Sequence, residues 1–111
     1  MRLMQRDIVL LPFPFSDMEG SKVRPALIIS NDNFNESPAD CIMLPLTSVI
    51  KPDACSIILS PEDLAAGDLL KKSRVKVDKA FSVEKGLVLM KIGSLGNAKF
   101  SEIKGLFFSL F

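Results

Sequence analysis

The apolar run Ala26-Leu27-Ile28-Ile29 stands directly after Arg24-Pro25 and is closed by the polar pair Ser30-Asn31. Consecutive apolar residues between turn formers predict a strand that is covered on both faces. Because proline lacks an N–H group, Pro25 belongs at the first position of that strand or on a sheet edge. Arg24 then lies where a loop becomes a strand. From there its guanidinium could bind an anion such as phosphate, or simply pair with a carboxylate on the rim.

Further strands are predicted from short apolar runs and from alternation of polar and apolar residues, at residues 7–13, 41–48, 56–59, 74–81 and 87–92. The alternation is clearest in residues 74–81, where Val75 and Val77 are expected to face inward. Arg74, Lys76 and Asp78 would then share the opposite face, because side chains alternate along a strand.

Residues 98–110 carry apolar side chains at helical spacing, at Phe100, Ile103, Leu106/Phe107 and Leu110, and therefore predict a C-terminal amphipathic helix. Five or six short strands with turn signals and one terminal helix indicate a mainly β (α+β) fold. We expect a small, SH3-like, partly open barrel with a C-terminal helix. At 111 residues the chain is expected to form one domain, residues 1–111.

Apolar residues make up 48% of the chain, a large share for so small a protein, so we expect an interface between copies. No apolar run reaches the length of about 18 residues that would indicate a membrane span. The first residues are basic and then acidic, without a small-residue cleavage site, so we expect a cytoplasmic protein with no membrane association.

The sequence contains no histidine, and its two cysteines, Cys41 and Cys55, form no CxxC motif. A zinc site of the usual kind and a Ser–His or Cys–His nucleophile pair are thereby excluded. Any acid–base chemistry must come from carboxylates, lysine, arginine, hydroxyl groups or the substrate itself.

The near-neutral total charge of +1 conceals an asymmetry, because residues 1–70 have a net charge of −5 and residues 71–111 a net charge of +6. Five of the basic residues fall in one short segment: Lys71, Lys72, Arg74, Lys76 and Lys79. Such a cluster is compatible with binding to a polyanion, although charge runs are also common on ordinary solvated surfaces. Phe13 and Phe15, which flank Pro14, could be core residues or exposed rings on which nucleic-acid bases stack.

Four motifs occur in a fixed order: Asp7-Ile8-Val9-Leu10, Arg24-Pro25-Ala26-Leu27, Pro45-Leu46-Thr47-Ser48 and Val75-Lys76-Val77-Asp78. In this order the chain resembles the MazF/PemK family of toxins from type II toxin–antitoxin pairs. The resemblance implies a sequence-selective, metal-independent endoribonuclease that needs no cofactor.

The resemblance also implies roles for individual residues. Arg24 and Thr47 occupy the positions at the centre of the family's active site, and Lys76 and Asp78 match a basic and an acidic residue that some members add. Catalysis is thus expected from Arg24, Thr47, Asp78 and Lys76. RNA binding is expected from Ser48, Ser21, Lys22, Phe15 and Arg74. The loop at residues 20–23 is shorter than in many relatives and carries Lys22 where they have an acid.

The partners implied by the resemblance are a single-stranded RNA substrate, a second copy in a homodimer, and a small acidic antitoxin whose tail occupies the RNA groove. The toxin–antitoxin complex would also bind DNA, and the free toxin would arrest growth. Two alternatives remain open. One is a non-catalytic toxin of the same barrel class that binds a protein such as DNA gyrase. The other is an inactive barrel that binds nucleic acid.

Overall fold

The computed structural model describes residues 2–13, 22–36, 40–51, 53–69 and 71–111. Within these ranges the chain forms eight strands and two α-helices. The strands are β1 Asp7–Phe13, β2 Lys22–Ile28, β3 Asp40–Thr47, β4 Ser56–Leu59, β5 Leu64–Gly67, β6 Ser73–Lys76, β7 Phe81–Glu84 and β8 Met90–Leu95. The helices are α1 Asp32–Asn35 and α2 Asn97–Ser109.

The strands form one curled antiparallel sheet in the order β4-β6-β3-β2-β1-β8-β5, and β7 pairs with β3 beyond the end of β6. The prediction of a mainly β, SH3-like, partly open barrel with a C-terminal helix is confirmed. The strand predicted to begin at Arg24-Pro25 is β2, which pairs with β1 and β3 in the middle of the sheet. The predicted start was wrong, because β2 begins at Lys22 and Arg24 and Pro25 lie within it, paired with Leu11 and Leu10 of β1.

Both faces of the sheet are buried, which explains the continuous apolar runs in the sequence. One face contributes to a cluster that includes Leu27, Leu44 and Val75. The opposite face contributes to a second cluster that includes Ala26, Ile28, Met43 and Val83. We call the side of the second cluster the groove face, because a surface groove lies beside it.

Helix α2 covers the other face. Phe100 and Ile103 are buried in the first cluster, and Leu106 and Phe107 pack partly against it, as the helical spacing predicts. Phe108, Leu110 and Phe111 remain exposed. No helix among the described residues has the length and hydrophobicity needed to cross a membrane.

Three strand predictions differ from the structure. Residues 74–81 form not one strand but β6 and β7, separated by a turn at residues 77–80 in which the Lys79 N–H donates to the Lys76 carbonyl at 3.2 Å. The last strand begins later than predicted, at Met90, and continues beyond Ile92 to Leu95. Strand β5 was missed because it lacks β-branched residues. It also ends at Gly67, whose φ of 82° and close approach to Ile92 leave no room for a Cβ.

Candidate active site

Arg24 and Thr47 lie on neighbouring strands near the same end of the sheet. In the antiparallel pairing of β1 with β2, Leu11 is opposite Arg24. In the pairing of β2 with β3, the last register pair is Ala26 with Pro45. Arg24 and Thr47 each lie two residues beyond that last pair on their own strands, and Thr47 pairs with Arg74 of β6.

Strand alternation puts the two side chains on the same face. Arg24 is two residues before Ala26, and Thr47 is four residues after Met43; both of these apolar residues belong to the groove-face cluster. Arg24 is half-buried, with its Nε atom shielded from solvent. Thr47 is 8% exposed. The guanidinium and the hydroxyl group are therefore each partly desolvated, and hydrogen bonds to an anion are stronger in such surroundings than in water.

The hydroxyl group of Thr47 is held by the chain that follows it. The Val49 N–H donates to Thr47 Oγ1 at 3.2 Å. Because this bond uses an oxygen lone pair, it leaves the hydroxyl hydrogen available for donation to another group. Ser48, between the two, is exposed just beyond the end of β3.

Arg74 is opposite Thr47 in the pairing of β3 with β6, but its side chain is buried, with 7% of the residue exposed. Its Nη1 donates to Asp53 Oδ2 at 3.1 Å, and its Nε donates to the Val49 carbonyl at 3.2 Å. The structure therefore does not present this guanidinium on the surface, where RNA contact would require it.

Lys76 lies two residues beyond Arg74 on β6 and lines the groove. The groove has a volume of about 760 Å³ and is mainly apolar, with charged residues at Lys76, Lys79 and Glu84. Its wall combines the end of β1, Pro45 of β3 and residues of β7. Pro45 of β3 lines the groove two residues before Thr47, whereas Arg24 and Thr47 themselves lie outside the groove lining.

Two aromatic rings, Phe13 and Phe81, form part of the groove wall. They meet edge to face, with centroids 5.4 Å apart and planes inclined by 65°. Phe81 and Lys79 line the groove although the sequence motifs do not predict either as a site residue. Lys79 belongs to the basic cluster of the sequence. Its place in the groove, and that of Phe81, follow from the turn at residues 77–80, which a prediction of one continuous strand at residues 74–81 does not include.

The remaining predicted residues are dispersed. Asp78 is exposed in the turn after β6, with its Oδ2 atom 3.7 Å from Lys79 Nζ. Lys22 is exposed at the start of β2, opposite Phe13. Phe15 and Ser21 lie outside the described residues. Within the described ranges, no three Cys, Asp or Glu side chains form a group that could hold a metal ion.

A second, smaller cavity of about 440 Å³ lies on the opposite face of the sheet, beside α2. Phe34, Phe107 and Phe108 line it together with Ile29, which follows β2, and Ile42 of β3. It contains none of the predicted site residues.

The fold matches several solved structures at low sequence identity. A MazE–MazF structure from Deinococcus radiodurans has a TM-score of 0.80 and 20% identity, over 99% of this chain and 96% of that chain. An endoribonuclease in complex with its cognate antitoxin from a mycobacterial species has a TM-score of 0.77 and 18% identity, over 96% and 92%. The Mycobacterium tuberculosis toxin MazF-mt6 has a TM-score of 0.74 and 18% identity, over 94% of each chain.

No curated protein matches the sequence significantly. The model of one family, described as the PemK-like, MazF-like toxin of type II toxin-antitoxin systems, matches residues 4–109 and so covers nearly all of the chain, including all four motifs. This chain therefore belongs to the PemK-like, MazF-like toxins of type II toxin-antitoxin systems.

Proposed function

We propose that this toxin is a metal-independent endoribonuclease that cleaves single-stranded RNA in the cytoplasm. The observation that supports the proposal is that strand alternation puts Arg24 and Thr47 on the groove face of two neighbouring strands, and the groove on that side has two lysines and two phenylalanines. This combination suits a flexible polyanion with exposed bases, because the cations can bind phosphates while the rings stack on bases.

The reaction that fits these groups is an internal transfer within the RNA. The ribose 2′-oxygen attacks the adjacent phosphorus, the bond to the 5′-oxygen breaks, and a 2′,3′-cyclic phosphate and a 5′-hydroxyl end form. The protein must hold the reacting atoms in line and stabilise charge on the phosphoryl oxygens. The guanidinium of Arg24 donates hydrogen bonds to those oxygens, and Thr47 donates one more through its hydroxyl hydrogen.

Proton transfer is assigned to residues around the β6–β7 turn. Asp78 accepts the proton from the 2′-hydroxyl, and Lys76 donates a proton to the departing 5′-oxygen or stabilises its charge. Lys76 lines the groove, and Asp78 lies two residues further along the chain in an exposed turn, which keeps its carboxylate accessible to a substrate.

RNA binding involves more of the groove face. Lys22 is two residues before Arg24 on β2, so its side chain lies on the same face of the strand. Ser48 is exposed next to Thr47. We assign phosphate or sugar contacts to both residues. Ser21 and Phe15 keep their expected RNA-binding roles, which come from the sequence. Phe81 and Lys79 join them as groove residues.

We further propose that the toxin forms a homodimer and is neutralised by a small acidic antitoxin. Lys76 and Lys79 give the apolar groove the charge that an acidic, partly apolar tail requires. The exposed Phe108, Leu110 and Phe111 at the end of α2 are candidates for the contact between copies. Light scattering of the purified chain tests the dimer, and co-purification with the product of an adjacent reading frame tests the antitoxin.

The test of catalysis is incubation of the purified chain with single-stranded RNA in EDTA. We expect cleavage that leaves 2′,3′-cyclic phosphate and 5′-hydroxyl ends, and we expect Arg24→Ala to abolish most of it with an unchanged circular-dichroism spectrum. Lys71→Gln is a matched loss of charge outside the groove and should cleave like the parent. Intact RNA with inhibition of gyrase would favour a protein-binding toxin, and RNA binding without cleavage would favour an inactive barrel.

A further inference from the structure

The guanidinium of Arg74 holds the segment after β3 at two points. Its Nε donates to the Val49 carbonyl at 3.2 Å, and its Nη1 donates to Asp53 Oδ2 at 3.1 Å, with Ser56 Oγ at 3.5 Å from the same nitrogen. Its side chain is only 8% exposed, and a buried cation is tolerated where it is paired and hydrogen-bonded in this way.

Val49 is connected to Thr47 as well as to Arg74. Its N–H donates to Thr47 Oγ1, and its carbonyl accepts from Arg74, so both of its backbone groups are held. The orientation of the Thr47 hydroxyl is therefore linked to the guanidinium through one residue. The antiparallel register supports the same link, because Arg74 lies opposite Thr47 on the neighbouring strand.

The far side of the guanidinium is also fixed. Asp53 accepts from the Cys55 N–H through Oδ1 at 2.8 Å, while its Oδ2 accepts from Arg74. Cys55 is itself held next to the end of β6, because the N–H of Val77, the residue after that strand, donates to its carbonyl at 2.9 Å. A continuous series of hydrogen bonds therefore connects the region of the β4–β6 pairing to the Thr47 hydroxyl group through Asp53, Arg74 and Val49.

We propose that Arg74 is a positioning residue that holds the Thr47 hydroxyl ready for the scissile phosphate, a role that rests on the proposed ribonuclease function. Threonine side chains occupy more than one rotamer, and the Val49 N–H stabilises the one that presents Oγ1 to it. With the lone pair engaged, the hydroxyl hydrogen points elsewhere and is donated to a phosphoryl oxygen. Arg74 acts through Val49 and does not contact RNA.

The first experiment compares Arg74→Gln with the parent in single-turnover cleavage and in binding of an RNA whose scissile 2′-hydroxyl is replaced by hydrogen. Misplacement of one reacting group by about 1 Å costs roughly 10²-fold in rate, so we expect cleavage to slow about 10- to 100-fold. The dissociation constant should change less than about threefold, because no phosphate contact is lost. Lys71→Gln is the matched control for loss of one positive charge.

The second experiment repeats Arg74→Gln in a Thr47→Ala background. If Arg74 acts only through Thr47, its removal there should slow cleavage less than about twofold, since residues that act as a unit are non-additive. Arg74→Lys keeps the charge without the two-point contact and should be intermediate. If Arg74→Gln does not fold, Asp53→Asn replaces it in this experiment, because Asp53 accepts a hydrogen bond from the Arg74 guanidinium. This variant should slow cleavage only when Thr47 is present.

The third experiment is independent of cleavage: amide hydrogen exchange at Val49, measured by NMR. We expect slow exchange in the parent and faster exchange in both Arg74→Gln and Thr47→Ala, with core amides of β3 unchanged. Unchanged Val49 exchange in Arg74→Gln would refute the link itself. Additive rate losses would refute the proposal by showing that Arg74 acts independently of Thr47, and weaker RNA binding with a smaller salt dependence would refute it by showing that Arg74 contacts RNA. A parent that leaves RNA intact would refute the proposed function, and with it the catalytic role of the link.

Discussion

Phe13 and Phe81 form an edge-to-face pair on the groove wall, with ring centroids 5.4 Å apart. The pair joins the end of β1 to the start of β7, two strands that are not neighbours in the sheet. Both rings pack against the groove-face cluster but are only partly buried, so part of the surface of each ring is available to a ligand.

We therefore expect Phe81→Leu to weaken binding of single-stranded RNA while leaving the strand intact. Stacking of a base on an aromatic ring contributes about 1–3 kcal/mol, which corresponds to roughly a 5- to 150-fold increase in the dissociation constant. Fluorescence anisotropy with a labelled RNA measures this dissociation constant. Leu87→Ala, which removes an exposed aliphatic side chain of the same groove, is the control and should have a smaller effect. Equal binding by Phe81→Leu and the parent would exclude stacking on this ring.

The groove lysines should determine how strongly binding depends on salt. Each phosphate contact that is lost from a single strand lowers the slope of log K against log salt by about 0.7. Lys76→Gln and Lys79→Gln should each produce that change, whereas Lys71→Gln, outside the groove lining, should not. Titrations with single-stranded RNA at several salt concentrations measure this slope for each variant. If all three variants shift the slope equally, the cluster acts as a diffuse charge and the groove is not the binding path.

The buried carboxylate of Asp7 should stabilise the fold. Asp7 is 4% exposed, its Oδ2 accepts from the Met4 N–H at 2.8 Å, and the same atom lies 3.2 Å from Lys91 Nζ on β8. Loss of one partner from a buried polar contact costs about 1–3 kcal/mol, so Asp7→Ala should lower the free energy of unfolding by that amount. Glu36→Ala breaks the exposed pair with Arg2 and should have little effect. Urea denaturation measures both, and similar values would contradict a special role for Asp7.

Alkaline pH should weaken the fold through Cys41. Burial raises the pKa of the Cys41 thiol above its ordinary value of 9.0; the nearby Lys85 opposes this shift, and Asp40 and Asp7 add to it. The folded state then holds the proton longer than the unfolded chain. The contribution to stability is complete below the unfolded pKa and is lost as the pH rises towards and through the folded pKa.

The comparison that tests this effect is the parent against Cys41→Val between about pH 7 and pH 10. The free energy of unfolding of the parent should fall relative to that of the variant as the pH rises. Alkylation gives a second measure, because Cys41 is fully buried and Cys55 is only half-buried, so reagent should react first at Cys55. Parallel pH profiles for the two proteins would contradict the role of the buried thiol.

Much of the fold can be predicted from the sequence, because a sheet that is buried on both faces has strands with continuous apolar runs. The apolar runs of β1, β2, β3 and β4 each mark a strand, and the helical spacing of Phe100 and Ile103 marks α2. Strand β5 carries no such signal, because its pairing with β8 depends on a glycine that allows close backbone approach.

The candidate site is predictable to a smaller extent. Arg24 lies within β2 and Thr47 ends β3, and alternation along these neighbouring strands puts both side chains on the groove face, in agreement with the motifs. The sequence gives Arg74 the same polar character as Lys76, two residues away, yet one side chain is buried and the other lines the groove. The difference arises from Asp53 and Val49, which are more than 20 positions from Arg74 in sequence, so local pattern could not reveal it.

The central claim is that Arg24 and Thr47 act on one phosphodiester. Single-turnover cleavage of single-stranded RNA in EDTA, by the parent, Arg24→Ala, Thr47→Ala and the double variant, measures this most directly. Removal of one such donor costs about 10²- to 10³-fold in other enzymes, and we predict that loss for each single variant, with a double variant clearly less impaired than the product of the two. Cleavage by Arg24→Ala at the parent rate, with the fold intact, would contradict the account.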